Sequence, residues 1–232
     1  MATIQVQCRF CNKTDTVRKH GRGHSGFTRF RCLECRKSFQ LDYVYEARKP
    51  NVKEKIVDMA MNSSGVRETA RVLNVAYNTV LSTFKKLSPK KVTSIPFDRA
   101  NITLICEVDE QWSFVGNKKN RRWLWYAWEP RYKRIIAHAF GKRNTDTLRA
   151  LLVLLKPFDI SFFCTDDFSV YTKEIPKEKH IVGKRFTQRI ERTNLTLRSR
   201  LKRLVRRTIG FSRSEEMHDK VIGTFIEREF YC

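Results

Sequence analysis

Apolar residues between positions 52 and 87 recur at helical spacing, in three short sets: Val52, Ile56, Met59 and Ala60; Val66, Ala70 and Leu73; Val80, Leu81, Phe84 and Leu87. Each set lies on one stripe of a helix. The pattern predicts a first helix over residues 52–61, with Asn51 and Glu54 at the spacing of a capping box. A break at 62–65, a second helix and a tight turn at 74–76 precede a third helix. Ala70 is small enough for close helix contact, and the arrangement fits a helix-turn-helix whose last helix enters the major groove. On that helix Tyr77, Asn78, Ser82, Lys85 and Lys86 lie off the apolar stripe, free to meet bases or phosphates. A plain three-helix bundle with a solvated polar face shares much of this pattern, and Ala76 stands where a capping Ser or Thr would mark the motif better. Residues 88–100, with Pro89, Pro96, Lys90 and Lys91, read as a linker.

From Ile102 the period shortens to that of strands. An apolar run over 102–108 ends in Asp109, which is expected to terminate its strand, an aromatic-rich run covers 122–128, and a third run over 134–140 is closed by Gly141. A helix over 145–155 follows, then a buried-type strand over 159–164 that leads to Thr165, Asp166 and Asp167. A short run at 180–182 offers a fifth strand. A long helix over about 187–207 carries Ile190, Leu197, Leu201 and Leu204 on one stripe. Three strands, a helix, a strand and a late helix is the order of the ribonuclease H-like fold, in which acids on the first strand, after the fourth and on the late helix meet at one sheet edge. Asp109, Asp166 and Glu191 stand in those places. Such a cluster of hard oxygen donors suits two magnesium ions, with manganese as a substitute, set roughly 4 Å apart beside a phosphodiester. Alternation puts Glu107 on the face of Asp109, and Asp167 directly follows Asp166, so both remain alternatives.

Charge names the class of partner. The chain has 47 Lys and Arg against 24 Asp and Glu, a formal net charge of +23 spread along its length. A polyanion with regularly spaced phosphates fits this, because each neutralised phosphate releases a counterion. From 184 to 207 ten basic residues, among them Arg189, Arg192, Arg198 and Arg200, stand against the single acid Glu191, more than a solvated helix face needs. These arginines are expected to carry DNA phosphates, and the four tryptophans to serve the core. A membrane partner is disfavoured: the most apolar stretch, 148–155, contains Arg149 and is far shorter than the ~20 residues a bilayer demands. The first seven residues are polar, unlike a signal peptide, which points to a cytoplasmic, nucleoid-associated protein. A hydrophobic fraction of 41% with 12% aromatics excludes disorder as the general state.

Four of the seven cysteines form two C-x2-C pairs, Cys8 with Cys11 and Cys32 with Cys35. Two such knuckles close a tetrahedron of thiolates around one zinc ion, leaving no open position for a catalytic water, so the metal is structural. His20 and His24 lie between the knuckles in a glycine-rich hairpin loop and are weaker candidates. Arg18, Lys19, Arg22, Arg29, Arg31, Arg36 and Lys37 surround that loop and could track phosphates. Cys106, Cys164 and Cys232 have no partner by spacing, and the first two read as small buried apolar groups.

The segments V-D-E-Q-W at 108–112, C-T-D-D-F at 164–168, Q-R-I-E-R-T-N at 188–194 and M-H-D-K-V-I-G at 217–223 resemble the transposases of the insertion sequence one family over nearly the whole chain. The resemblance implies a DDE transposase with Asp109, Asp166 and Glu191 as its triad. Arg198 matches the basic residue many such enzymes carry one heptad beyond the glutamate. It further implies hydrolysis at the element ends followed by attack of the freed 3′ hydroxyl on target DNA, binding of terminal inverted repeats, and a homodimer or larger assembly. The family often joins two reading frames around a region like 84–87. The expected organisation is multidomain, α+β and α/β: a zinc ribbon at 1–46, a helix-turn-helix at 47–92 and a ribonuclease H-like catalytic domain at 93–232. A DNA-binding regulator with an inactive nuclease-like domain is the alternative. His218 and Asp219 fit either a packing helix or an accessory role.

Overall fold

The computed structural model describes residues 5–94, 103–207 and 209–231; Ile102, Cys232 and part of the expected linker, 95–100, lie outside them. Strands β1 (Val17–Arg22), β2 (Thr28–Cys32) and β3 (Ser38–Gln40) form an antiparallel ribbon in the order β1-β2-β3. Among the described residues its buried interior is Cys8, Cys32, Phe30 and Phe39. A core this small cannot offset the entropy of ordering the segment, so the ribbon depends on a cross-link.

Helices α1 (Val52–Met61), α2 (Val66–Val72) and α3 (Tyr77–Lys85) follow. The stripe residues Ile56, Ala60, Val80 and Phe84 form one core with Val75 and with Val221 from the far end of the chain. The expected capping box at Asn51 is not formed: Asn51 takes a left-handed backbone, φ +63°, and its side chain caps nothing. Half of such a box stands at α2 instead, where the Gly65 N–H donates to Glu68 Oε2 at 3.3 Å. An N-cap side chain reaches the helix N–H groups from an extended backbone, which the left-handed Asn51 does not have.

The remaining chain builds a five-stranded sheet from β4 (Leu104–Val115), β5 (Asn117–Glu129), β6 (Arg134–Gly141), β7 (Ile160–Thr165) and β8 (His180–Val182). The order is β6-β5-β4-β7-β8, antiparallel through β4 and parallel from β4 to β8. This is the ribonuclease H-like arrangement. Side chains alternate across β4. Cys106 and Val108 face α4 (Thr145–Leu155) and α5 (Ser169–Glu174), packing with Trp125, Leu148, Leu151 and Tyr171. On the opposite face Leu124, Tyr126 and Ile135 pack under α6 (Gln188–Arg200) and α7 (Glu215–Phe230) through Ile190, Leu197, Ile222 and Phe225.

Three expectations are corrected here. Asp109 does not end its strand; β4 continues to Val115 because it pairs with β5 along most of its length. The late helix stops at Arg200, where Leu201 is extended (φ −120°, ψ 98°), so that Leu201 and Leu204 still point into the core from a looser segment. The connection after α3 is partly structured: Val92 bridges Ala137 on β6, the Thr93 N–H donates to Ile136 C=O, and the His138 N–H donates to Lys91 C=O. The edge of β6 is thereby covered, which removes a template for unwanted strand pairing. Gly223 of α7 lets this segment lie close, since a Cβ there would stand 2.8 Å from Pro89 Cγ.

Candidate active site and nucleic-acid surfaces

The register of β4 against β7 pairs Glu107 with Cys164; two residues further on come Asp109, inside β4, and Asp166, one residue past the end of β7. Parallel neighbours are separated by about 4.8 Å, so these two carboxylates share one edge of the sheet. Asp109 Oδ1 accepts from the Glu110 N–H at 2.8 Å, and Oδ2 accepts from the Asn194 side-chain amide at 2.6 Å. Burial, with the charges of Glu110 and Asp166, raises the Asp109 carboxyl to about 7. Asp166 Oδ1 accepts from the Phe168 N–H at 3.1 Å and so closes the turn into α5.

Glu191 lies in the first turn of α6 and is exposed. Asn194, one turn further on, is the residue of α6 that bonds Asp109. Glu191 therefore rides on the helix that lies over Asp109, on the same side as Asn194. The three acids do not close into a tight ligand cluster: among the described residues the only group of three or more metal-ligating side chains within 4.8 Å of one another is the cysteine set.

The neighbours of these acids are equally specific. Glu107, on the face of Asp109 as alternation predicted, is buried, and its Oε2 accepts from the Ile190 N–H at 2.7 Å, capping α6 in place of a side chain at Thr187. Burial pushes its carboxyl up. Asn194 Oδ1 accepts from the fully buried Tyr126 hydroxyl at 2.9 Å, which fixes the amide with its NH2 toward Asp109. On the other face Glu110 accepts from Tyr171 Oη at 2.5 Å and from Arg143 Nε at 2.7 Å. The Arg143 guanidinium covers Phe168 at 3.8 Å and remains partly exposed. Asn194 was discoverable from its place three residues after Glu191, and Glu110 from its place in V-D-E-Q-W; Tyr126 and Arg143 carry no signal in the sequence. Asp167 is exposed and enters none of these contacts.

In the ribbon, the Sγ atoms of Cys8 and Cys35 are 3.6 Å apart, as are those of Cys11 and Cys32, and all four lie within 4.8 Å. Tetrahedral zinc with bonds of about 2.3 Å implies sulfur separations of about 3.8 Å. The donor set fits structural zinc. The Thr16 hydroxyl and the Cys35 N–H hold the Cys32 thiol down to about 6 and the Cys8 thiol is lowered too, while those of Cys11 and Cys35 are raised, so without metal the four share the cost of ionising. His20 and His24 stand outside the cluster and are exposed. Arg18, Lys19, Arg22, Arg29, Arg31, Arg36 and Lys37 are all exposed around it.

On α3, Tyr77, Asn78, Ser82, Lys85 and Lys86 are exposed, while Val80 and Phe84 are buried. Along α6, Arg189 and Arg192 are exposed beside Glu191. Arg198 is half-buried, and Arg200 is engaged with Glu229 at 2.5 Å and lies over Phe225. Trp125 and Trp128 are core residues as expected, whereas Trp112 lies between the guanidinium groups of Arg121 and Arg206, at 4.8 and 4.5 Å. Cys106 and Cys164 are buried. His218 is buried against Ser113 Oγ at 3.1 Å, and Asp219 takes Arg122 in a two-bond pair at 3.1 and 2.5 Å. Both residues fasten α7 to the sheet.

Residues 103–232 match the family model described as IS1 transposase. The chain belongs to the IS1 transposase family. In the same family vocabulary residues 1–36 match the InsA N-terminal domain, a zinc ribbon, and residues 43–88 the InsA C-terminal domain, a helix-turn-helix. This IS1-family transposase is 57% identical over 130 residues to the insertion element iso-IS1n protein InsB of Shigella dysenteriae, covering 56% of this chain and 99% of the relative. It is 45% identical over 148 residues to the insertion element IS1 4 protein InsB of Escherichia coli (strain K12), covering 64% of this chain and 89% of that one. A chain in the cryoEM structure of the simian T-cell lymphotropic virus intasome with PP2A regulatory subunit B56 gamma overlaps 62% of this chain and 59% of its own, at 14% identity and a TM-score of 0.34, too loose a likeness to argue from. The transposase binds DNA through its helix-turn-helix, and the four cysteines form its structural zinc site. No helix among the described residues is long and apolar enough to cross a membrane.

Proposed function

We propose that this transposase binds the terminal inverted repeats of its insertion sequence through residues 1–46 and 47–92 and cuts and joins DNA with residues 93–232, using Asp109, Asp166 and Glu191 to hold two magnesium ions. The observation that carries the reading is the nearness of Asp109, on β4, to Asp166, just past the end of β7, whose charge is among the causes that raise Asp109. Two neighbouring carboxylates, one of them raised by burial and by the other's charge, are an arrangement that a hard divalent ion relieves, and oxygen donors of this kind suit magnesium or manganese. When bound, the ions supply Lewis-acid activation of the attacking oxygen and stabilisation of the leaving one.

The chain's own part is positioning. Asn194, fixed by Tyr126, orients the Asp109 carboxylate, and Glu107 seats the first turn of α6 so that Glu191 is presented over the same edge. Arg189 and Arg192, exposed beside Glu191, and Arg198 are assigned to the DNA backbone; Arg200, already paired with Glu229, is the weakest of that group. Tyr77, Asn78, Ser82, Lys85 and Lys86 are assigned to the recognised end. Each active site treats one strand at a time, so bringing two ends together calls for a homodimer or larger symmetric assembly. The test is magnesium-dependent cleavage and joining of duplexes carrying the flanking repeats, comparing the natural chain with Asp109→Asn. Both proteins should bind the repeats and only the natural chain should cut. Equal inertness of both, with binding intact, would establish the regulator reading instead.

A further inference from the structure

Helix α6 is gripped at three points, and one of them comes from the DNA reader. Near its start Glu107 accepts from the Ile190 N–H, and at its centre Asn194 joins Asp109 to Tyr126. At its end, Ser63 of the turn between α1 and α2 donates its hydroxyl to Arg200 C=O at 2.7 Å and accepts from the Lys202 N–H at 2.9 Å. Arg200 is the last residue of α6, and the extended Leu201 leaves both of those backbone groups without a helical partner. A hydroxyl is donor and acceptor at once, so a single serine answers both. The turn presents it from a left-handed backbone, φ +64°, braced by the Ser63 N–H on Ala60 C=O and the Ser64 N–H on Met59 C=O. Asp58 pairs with Arg228 at 2.6 Å, and Met61 packs against the cores of both domains, so the turn is itself anchored.

We propose that Ser63 is a positioning residue for the transposition reaction: the reader's first turn fixes the far end of α6 and, through the stiffness of that helix, the place of Glu191. The proposal rests on the reading of Glu191 as a metal ligand. With a rise of 1.5 Å per residue, Glu191 lies about 4.5 Å before the Asn194 contact and Arg200 about 9 Å beyond it. The helix is a lever about that contact, with the Glu107 bond to the Ile190 N–H resisting the swing, so the displacement that follows is an upper bound. A shift of about 1 Å at the Arg200 end moves Glu191 by about 0.5 Å, the tolerance within which a metal-binding constellation must be held.

Ser63→Gly deletes the hydroxyl and accepts the positive φ without strain. In the full-length protein the magnesium concentration giving half-maximal single-turnover cleavage of repeat-bearing duplex is expected to rise about tenfold, the size of effect seen when a ligand's supporting contact is lost. Affinity for the same duplex without magnesium should stay within about twofold, because no DNA-contacting side chain changes. Hydrogen exchange at residues 198–202 should accelerate. An unchanged magnesium half-point overturns the proposal, as does a loss of melting temperature or DNA affinity with no change in that half-point. Ser63→Ala serves if the glycine variant folds poorly, and failure of both to fold assigns Ser63 to structure alone. Glu191→Gln, run in parallel, separates the two readings. If it cuts normally, the assignment of Glu191 fails and Ser63 falls with it; if it is inert while Ser63→Gly titrates like the natural protein, only the Ser63 proposal fails.

Discussion

Replacing Asp109 by Asn should make the magnesium-free protein more stable at pH 8 while abolishing cleavage. Burial and the charges of Glu110 and Asp166 raise the folded-state carboxyl from 3.8 to about 7. The folded protein thus holds this proton more tightly than the unfolded chain, so the stability Asp109 contributes is present below pH 3.8 and lost as pH climbs to about 7. At about 1.4 kcal/mol per pH unit the loss is bounded at about 4 kcal/mol. Solvent reaches part of this carboxylate and trims the figure, and Asn cannot accept from both the Glu110 N–H and the Asn194 amide, which forfeits about 1 kcal/mol. A net gain of about 2 kcal/mol remains, or a rise of about 4–8 °C in the melting of a domain this size. At pH 5, where Asp109 is already protonated, the variant should melt within about 3 °C of the natural chain or slightly below it. The assay is thermal unfolding followed by circular dichroism in magnesium-free buffer at both pH values. A variant destabilised equally at pH 5 and pH 8 would refute the reasoning, because the carboxylate would then be a satisfied structural acid.

Removing zinc, by chelation or by Cys32→Ser, should unfold the ribbon outright and leave the sheet domain's far-ultraviolet signature intact, since the ribbon's interior is four residues deep; intact dispersion of the Phe30 and Phe39 resonances without metal would contradict this. Arg122→Ala strips Asp219 of its two-bond partner in a half-buried setting and should cost about 3 kcal/mol in denaturant unfolding, with little change in DNA affinity. Gly223→Ala drives a Cβ to within 2.8 Å of Pro89 Cγ and 3.3 Å of His138 Nε2. It should destabilise by about 1–3 kcal/mol and expose the segment at 91–93 to hydrogen exchange. Lys85→Ala should weaken binding of all duplexes alike and lower the slope of log affinity against log salt by about one, whereas Asn78→Ala should change the preference among end sequences.

The elements with a strong period were legible in the sequence. Helix α1 spans the stripe of Val52, Ile56 and Ala60, and α4 ends where the run of leucines does. Asp109 and Asp166 stood out in the sequence because each closes an apolar run, where a charge demands a reason. What the one-dimensional pattern missed was decided by partners distant in the chain. Nothing near Asp109 reveals that β4 runs on to Val115, since the reason is β5 beside it. The stripe of Leu197, Leu201 and Leu204 reads as one helix, yet burial of those leucines is met by a helix that ends at Arg200 and a looser turn after it. Asn51 and Glu54 had the spacing of a cap but not the backbone angle for it. Tyr126 and Arg143 are ordinary residues by sequence and become part of the site only where strands and helices cross.

The segment joining reader to sheet is zipped onto β6 at residues 91–93, while α7 carries the reader's core on Val221. The span from the α3 surface to the Asp109 edge is consequently a fixed length of folded protein, not the reach of a tether. Under the proposed function, a recognised base and a cut phosphodiester would then stand a set number of base pairs apart, and the folded protein itself would be the ruler that sets the cleavage point. Lengthening the chain near residue 90 should blur that ruler without blunting the cutter.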